Sequence, residues 1–159
     1  MTPAPWPDPL EPPDPARAAQ ALADFWQTLA RLPGLVNRDE HLLAERATAA
    51  LREIVLELML AANGIRPPAA TAHLNGYLGE SQRRALEKTL VAPTPSAAAW
   101  IGRAVACVTI YRWYAPQIVA RFGVEYPSAL EEAVLAQVRA ALPQWPAYVE
   151  TEDGREARP

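Results

Sequence analysis

The sequence contains few of the residues that build disulfides, metal centres and tight turns. Among its 159 residues there are one cysteine, two histidines and seven glycines. The single cysteine, Cys107, excludes an internal disulfide and any metal site made of several cysteines. It lies in the apolar stretch 104–108, which is typical of a small buried hydrophobic side chain. Because glycine is scarce, Ala and Leu dominate and strand-like windows are missing, the composition favours helices.

Strongly basic segments are also missing. The formal net charge is −3 and the isoelectric point is about 5.4. No basic cluster exceeds pairs such as Arg83-Arg84. Binding to a phosphate backbone normally requires a basic stripe, so a nucleic-acid partner is disfavoured.

No apolar run is long enough to cross a membrane. The longest, around 104–110, falls far short of the roughly 20 residues that a spanning helix needs. The first 15 residues have neither a basic segment nor a continuous apolar segment of the secretory kind. We therefore expect a cytoplasmic protein without membrane association.

Hydrophobic periodicity predicts an all-α, single-domain bundle of about six helices with a kinked central apolar helix. The length is sufficient for one core without a disulfide or metal. The predicted organisation is a Pro-rich N-terminal arm over 1–14, a helical bundle over 15–149 and a polar, disordered tail over 150–159. The arm is expected to be extended, with Trp6 and Leu10 as possible anchors.

Start and stop signals divide the bundle. Asp14-Pro15 begins a first helix that we expect to end at Pro33-Gly34. Asn37 or Asp39 is predicted to cap a second helix that stops at Gly64. The remaining predictions are short helices over 71–78 and 81–90, a fifth helix over 96–122 that ends at Gly123, and a last helix opened by the capping box Ser128-Ala129-Leu130-Glu131.

The fifth helix is the most apolar of the predicted set. Before Arg121 its only charged residues are Arg103 and Arg112, which predicts the central position in the bundle. Pro116 removes a backbone donor and is expected to kink or divide the helix near Arg112.

Few residues suggest chemistry. Phosphate-binding Gly-rich loops and the Gly-x-Ser-x-Gly motif are absent, and His41 and His73 lack metal-ligand spacing. We therefore expect no cofactor and no metal. The candidate ligand-binding residues are Glu53 and Glu57, which lie four apart on one helix face, and Trp100, Arg112 and Trp113 on the fifth helix. A solvated face and core packing are the alternatives for these two groups.

From Phe25-Trp26 through Leu142 the layout resembles the helical C-terminal half of nucleotidyltransferase-like proteins of the aminoglycoside (kanamycin) nucleotidyltransferase type. The matching features are Asn37-Arg38-Asp39 before a long helix, Glu45-Arg46-Ala47 in its first turns, the Leu58-to-Gly64 exit, the Pro67-Pro68 break, the small helix ending at Leu90, and the Phe122-to-Pro127 turn.

In that family the helical half packs on a catalytic domain and helps to hold the acceptor substrate. The catalytic half carries a Gly-Ser turn and an Asp-x-Asp/Glu pair, and neither occurs in this sequence. The resemblance therefore implies a helical module that does not transfer nucleotides by itself.

The layout also resembles the HEPN group of helical bundles, which dimerise, sometimes cleave RNA and often accompany a small nucleotidyltransferase. Their signature is Arg followed by four to six residues and His, a spacing that Arg66 and His73 fit. The resemblance implies that His73 acts as general acid or base and Arg66 stabilises phosphate, although Pro67 and Pro68 intervene.

Two functions compete at this point. The first is a non-catalytic binding or interaction module, either a homodimer or the partner of a separate nucleotidyltransferase chain. The alternative is a HEPN-like RNase or toxin-antitoxin component that uses Arg66 and His73. Since each catalytic pattern is absent or interrupted, the sequence favours the non-enzymatic reading.

Overall fold

The computed structural model describes residues 6–90 and 94–147, and within these ranges the regular structure is helical. The all-α, single-domain prediction is confirmed. The elements are α1 (Pro15–Leu29), α2 (Leu32–Asn37), α3 (His41–Ala62), a 3₁₀ turn (Leu74–Tyr77), α4 (Glu80–Glu87), α5 (Ala97–Phe122) and α6 (Ser128–Ala141).

Four predicted helix boundaries are confirmed. Asp14 caps α1, since its carboxylate accepts a hydrogen bond from the Ala16 amide, and Pro15 occupies the first turn. Ser96 caps α5 in the same way. Gly64 and Gly123 follow α3 and α5 with φ of 81° and 62°, the left-handed conformation that glycine adopts without strain.

The first helix ends earlier than predicted. α1 stops at Leu29, and a separate short helix, α2, runs through Pro33 and Gly34. Pro33 lies in the first turn of α2, where its missing amide hydrogen would have no intrahelical acceptor in any case. The Pro-Gly pair therefore begins a helix here, and Leu32, Pro33 and Val36 are buried.

Two predicted caps are wrong. The residue that precedes α3 is Glu40, without a side-chain capping bond, and Asp39 adopts a positive φ of 54°. The residue that precedes α6 is Pro127, so that Ser128 is already helical. The carboxylate of Glu131 accepts hydrogen bonds from Tyr126 and Arg112 instead of closing a capping box.

Side-chain contacts fix the directions of the helices. Trp100 contacts His41 where α5 and α3 begin, and Arg121 donates to the Ala62 carbonyl oxygen where they end. These two long helices therefore run parallel. α1 is antiparallel to α3, because Arg17 near its start pairs with Glu57 near the end of α3.

The helix with the most extensive packing is α3, which contacts α5 and α1 over long stretches and α2 and α4 over shorter ones. α5, the helix expected at the centre, packs mainly on α3 and α1. It continues from Ala97 to Phe122 through Pro116, which does not divide it. Across the described residues, no helix is both long and apolar enough to span a membrane.

The ends of α3 and α5 meet closely. A Cβ atom at Gly64 would lie 2.6 Å from Nη2 of Arg121. The same guanidinium donates from Nη1 to the Ala62 carbonyl oxygen at 3.1 Å. Arg121 therefore satisfies a carbonyl group at the end of α3, where intrahelical donors have run out.

The described part of the Pro-rich arm packs along the chain segment between α3 and α4. Glu11 and Arg66 exchange two backbone hydrogen bonds, at 3.1 and 2.8 Å, and their side chains form an ion pair. The Trp6 and Tyr77 rings lie 5.4 Å apart. The predicted tail over 150–159 falls outside the described residues.

Candidate interaction surface

One side of α5 faces away from the bundle. Residues at spacings of three and four share a helix face, and the set on this side is exposed or only partly buried. We call it the outer face of α5; its members are Ala98, Gly102, Ala106, Thr109, Trp113, Pro116 and Ala120. None is charged, so a stripe of uncharged residues runs along nearly the whole helix.

The opposite side of α5 forms part of the core. Its residues are at most 7% exposed; they are Trp100, Ile101, Ala104, Cys107, Val108, Ile110, Tyr111, Ala115 and Ile118. Because this apolar side already packs against α3 and α1, the outer face is a second apolar surface of the same helix. Soluble helices usually have a polar side in its place.

The three arginines of α5 flank the outer face, and each is engaged by its own chain. Arg103 donates to the Leu90 carbonyl oxygen at 2.7 Å, and its guanidinium carbon lies 5.4 Å from the centroid of the Trp100 ring. Arg112 pairs with Glu131 at 3.3 Å. Arg121 binds the Ala62 carbonyl oxygen, so all three have partners within the bundle.

Polar groups on and beside the outer face are also satisfied within α5. The Thr109 hydroxyl donates to the Val105 carbonyl oxygen at 3.0 Å. The Gln117 amide donates to the Trp113 carbonyl oxygen at 3.0 Å. Desolvating a hydrogen-bonded group costs less than desolvating a free one, so this surface can be covered without leaving these donors unpaired.

Size varies sharply along the outer face. The Trp113 side chain is the largest, and the residue is 52% exposed. Gly102 lies three turns earlier, and no heavy atom outside its immediate surroundings would come within 4 Å of a Cβ there. The surface therefore has a large projecting side chain at Trp113, which we call the bulge, and open space without a side chain at Gly102, which we call the hollow.

The predicted ligand-binding residues lie in separate places. Trp100 is 5% exposed, and its indole Nε1 donates to Nδ1 of His41 at 3.0 Å. Glu57 pairs with Arg17 at 2.7 Å, and Glu53 is exposed one turn earlier on α3. Twelve residues separate Trp100 from Arg112, about 18 Å along a helix, so the five side chains do not converge on one pocket. Trp113 alone is both large and exposed.

Arg112 belongs to a polar cluster between α5 and α6 that the sequence reading missed. Glu131 accepts from Arg112 and, at 2.6 Å, from the Tyr126 hydroxyl. Burial, together with this hydrogen bond to a carboxylate, raises the pKa of Tyr126 well above its ordinary value. The Tyr126 ring lies 6.3 Å from that of Tyr111, whose pKa burial raises to about 12. Both phenols are therefore neutral at physiological pH.

Arg66 and His73 lie beside the docked arm, and both are exposed. Arg66 is paired with Glu11, while His73 contributes to a surface cavity of about 510 Å³ that Pro7 and Thr71 also line. Asp8, in the arm, accepts hydrogen bonds from the hydroxyls of Thr71 and Tyr77. Glu11 of the arm therefore pairs with Arg66, the arginine to which the HEPN resemblance assigns phosphate binding.

Nowhere in residues 6–90 and 94–147 do three or more His, Cys, Asp or Glu side chains gather as metal ligands would. The fold is all-α, and the surface that stands out is the uncharged outer face of α5. No family model, curated protein or solved structure matches this chain significantly.

Proposed function

We propose that this protein is a non-catalytic helical interaction module that binds a protein partner through the outer face of α5. The supporting observation is Trp113, a half-exposed indole on a surface without charged side chains. Tryptophan is among the residues that contribute most to protein–protein binding, and depletion of charge is typical of interface centres.

The chemistry around α5 favours a protein over an anionic partner. Its three arginines are occupied by two backbone carbonyl groups and one carboxylate. A phosphate-rich ligand would have to displace these contacts, whereas an apolar protein surface would leave them in place. The resemblance to a nucleotidyltransferase helical half proposes two kinds of partner: a second copy of this chain or a separate nucleotidyltransferase.

Site-specific photo-crosslinking in the native host tests the proposal. A photoreactive benzoylphenylalanine at Ala120, on the outer face, should form a covalent protein adduct. The same residue at Ala136, an exposed alanine on α6, is the matched control and should form much less. Equal adduct from the two positions, or none from Ala120, would contradict the proposal.

A second pair of variants checks the role of the indole. Trp113→Ala in the Ala120 crosslinking background should abolish the adduct while leaving the thermal midpoint nearly unchanged, because the residue is half exposed. Trp6→Ala removes the other exposed tryptophan, which lies in the arm, and should retain the adduct.

A further inference from the structure

We propose that the partner of the outer face is a second copy of this chain, packed antiparallel so that Trp113 of each copy fits against Gly102 of the other. This inference rests on the proposed function and adds the identity of the partner and the register of the contact.

The first argument is the presence of glycine at position 102. Glycine is among the least favourable residues in a helix interior, and Gly102 lies inside the 26-residue α5. Among the residues that the structure describes, nothing outside its immediate surroundings lies within 4 Å of a Cβ atom at position 102, so their packing does not require a missing side chain there. A close approach from outside the chain gives the glycine a physical reason.

The second argument is the match between bulge and hollow. When two copies of α5 run antiparallel with Trp113 opposite Gly102, the symmetry places the other Trp113 opposite the other Gly102. Thr109 then faces Ala106 in both halves, and Gln117, which lies beside the outer face, is level with Ala98. Each larger side chain meets a small one, as close packing of two helices requires.

A parallel pairing does not place large side chains opposite small ones. It would oppose Trp113 to Trp113 and Gly102 to Gly102, leaving a clash at one level and a gap at the other. Two-fold antiparallel contact is self-complementary, and two-fold dimers are the commonest assemblies of identical chains.

The third argument is charge. The outer face carries no charged residue, and its flanking arginines are occupied within the chain. The surface that fits it must also be uncharged and must carry one bulge and one hollow at the same separation, about 16 Å along a helix. The outer face of a second copy meets these conditions.

The size of the contact sets the expected strength. A single helix face is smaller than a standard interface, which has about 800 Å² on each partner. We therefore expect a reversible dimer whose dissociation constant lies in the micromolar range. Sedimentation velocity over a range of concentrations should show a monomer–dimer equilibrium.

The register can be tested with single-cysteine additions to the full chain. Ala98→Cys and Gln117→Cys are made separately, and a short bismaleimide is added to each protein and to their mixture. The native Cys107 is fully buried and should not react. Antiparallel contact places position 98 of one copy near position 117 of the other, so the mixture should give a covalent dimer.

The separate proteins are the controls for direction. Two copies of position 98 would be about 28 Å apart in the antiparallel dimer, since 19 residues separate 98 from 117. Neither variant alone should crosslink. Crosslinking of each variant alone, with no gain on mixing, would indicate a parallel pair and overturn the inference.

Filling the hollow provides an independent test. Gly102→Leu should raise the dimer dissociation constant at least tenfold, and it should fold because the position is exposed and, among the described residues, no contact within 4 Å opposes a Cβ atom there. Ala133→Leu adds the same side chain at an exposed position on α6 and should leave the constant unchanged. A Gly102→Leu protein that dimerises like the wild type would contradict the register.

These results separate the two proposals. A protein that is monomeric at every concentration, yet forms an Ala120 adduct with a different protein, overturns the inference and leaves the interaction module standing. If the crosslinked adduct from position 120 does not exceed the adduct from position 136, both proposals are contradicted.

Discussion

The indole Nε1 of Trp26 donates a hydrogen bond to the Tyr111 hydroxyl at 3.1 Å, deep between α1 and α5. The same hydroxyl donates to the Leu22 carbonyl oxygen at 3.0 Å. Phe25 stacks on the Tyr111 ring with centroids 4.2 Å apart. Trp26, Tyr111 and Phe25 are fully buried, so a single phenol oxygen satisfies two polar groups from which water is excluded.

Replacing Tyr111 by Phe should therefore lower the free energy of unfolding by about 1–3 kcal/mol, since the Trp26 donor and the Leu22 acceptor lose their partner. Urea denaturation measures the change. Tyr114→Phe, on a partly buried position of the same helix, is the matched control and should change stability by less than about 0.5 kcal/mol. Equal effects would show that the buried bonds contribute nothing specific.

Glu131→Ala should destabilise the protein by about 1–2 kcal/mol, because the Tyr126 hydroxyl and the Arg112 guanidinium both lose an acceptor. The neighbouring Glu132 is exposed, and Glu132→Ala should have little effect. Thermal unfolding of the two variants side by side decides the matter. If Glu132→Ala costs as much as Glu131→Ala, the contacts with Tyr126 and Arg112 are not the cause.

Burial raises the pKa of the Cys107 thiol to about 12 from an ordinary 9.0. At pH 8 the folded protein should contain about a thousandfold less thiolate than the unfolded chain, and alkylation requires the thiolate. Iodoacetamide labelling should be slow in buffer and fast in urea. Ala133→Cys, at an exposed site, provides a thiol that should react quickly in both, and fast native labelling of Cys107 would contradict its burial.

The raised pKa of Cys107 also predicts that the protein loses stability at high pH. Because the folded-state pKa of Cys107 exceeds the unfolded value, its contribution to stability is complete below about pH 9 and is lost as the pH rises toward 12. Cys107→Ala should reduce this part of the pH dependence.

Docking of the arm should depend on pH in the opposite sense. Hydrogen bonds from Thr71 and then Tyr77 lower the pKa of Asp8 below its ordinary 3.8. The contribution of this carboxylate is present above pH 3.8 and is lost as the pH falls through the lowered value. The NMR signal of the Trp6 indole, which lies against Tyr77, should report release of the arm in acid.

Asp8→Asn is the matched variant, because it preserves the size of the side chain but cannot ionise. It should remove the acid transition seen by the Trp6 signal. A transition of unchanged midpoint in Asp8→Asn would assign the release to another group.

The long helices could be predicted because local signals determine them. The Asp14 and Ser96 side chains accept hydrogen bonds from backbone amides two and three residues later, Gly123 ends α5 through its own backbone conformation, and all three lie where expected. The predictions failed where one local sequence pattern is compatible with two different structures. Pro33 is compatible with the end of one helix and with the first turn of the next, and burial of Leu32 and Val36 decides between them.

The candidate site was harder to predict, because periodicity shows that residues share a face without showing what covers it. Trp100 and Trp113 are both aromatic residues of α5, yet one is buried beside His41 and the other is half exposed. The ion pair of Arg112 could not be predicted either, because its partner, Glu131, lies on a different helix, α6. The nine-residue spacing of Arg103, Arg112 and Arg121 does place them on the flanks of one stripe, which is the signal that the sequence offered.

The close contact between Gly64 and Arg121 limits the substitutions that these two positions can accept during evolution. Two obstacles oppose a larger residue at 64: the guanidinium 2.6 Å from a Cβ and the backbone φ of 81°. The arginine is a flexible side chain that can swing aside or be replaced, whereas the positive φ remains after any change at 121. Among descendants of this chain, position 121 should therefore vary while the glycine at 64 persists.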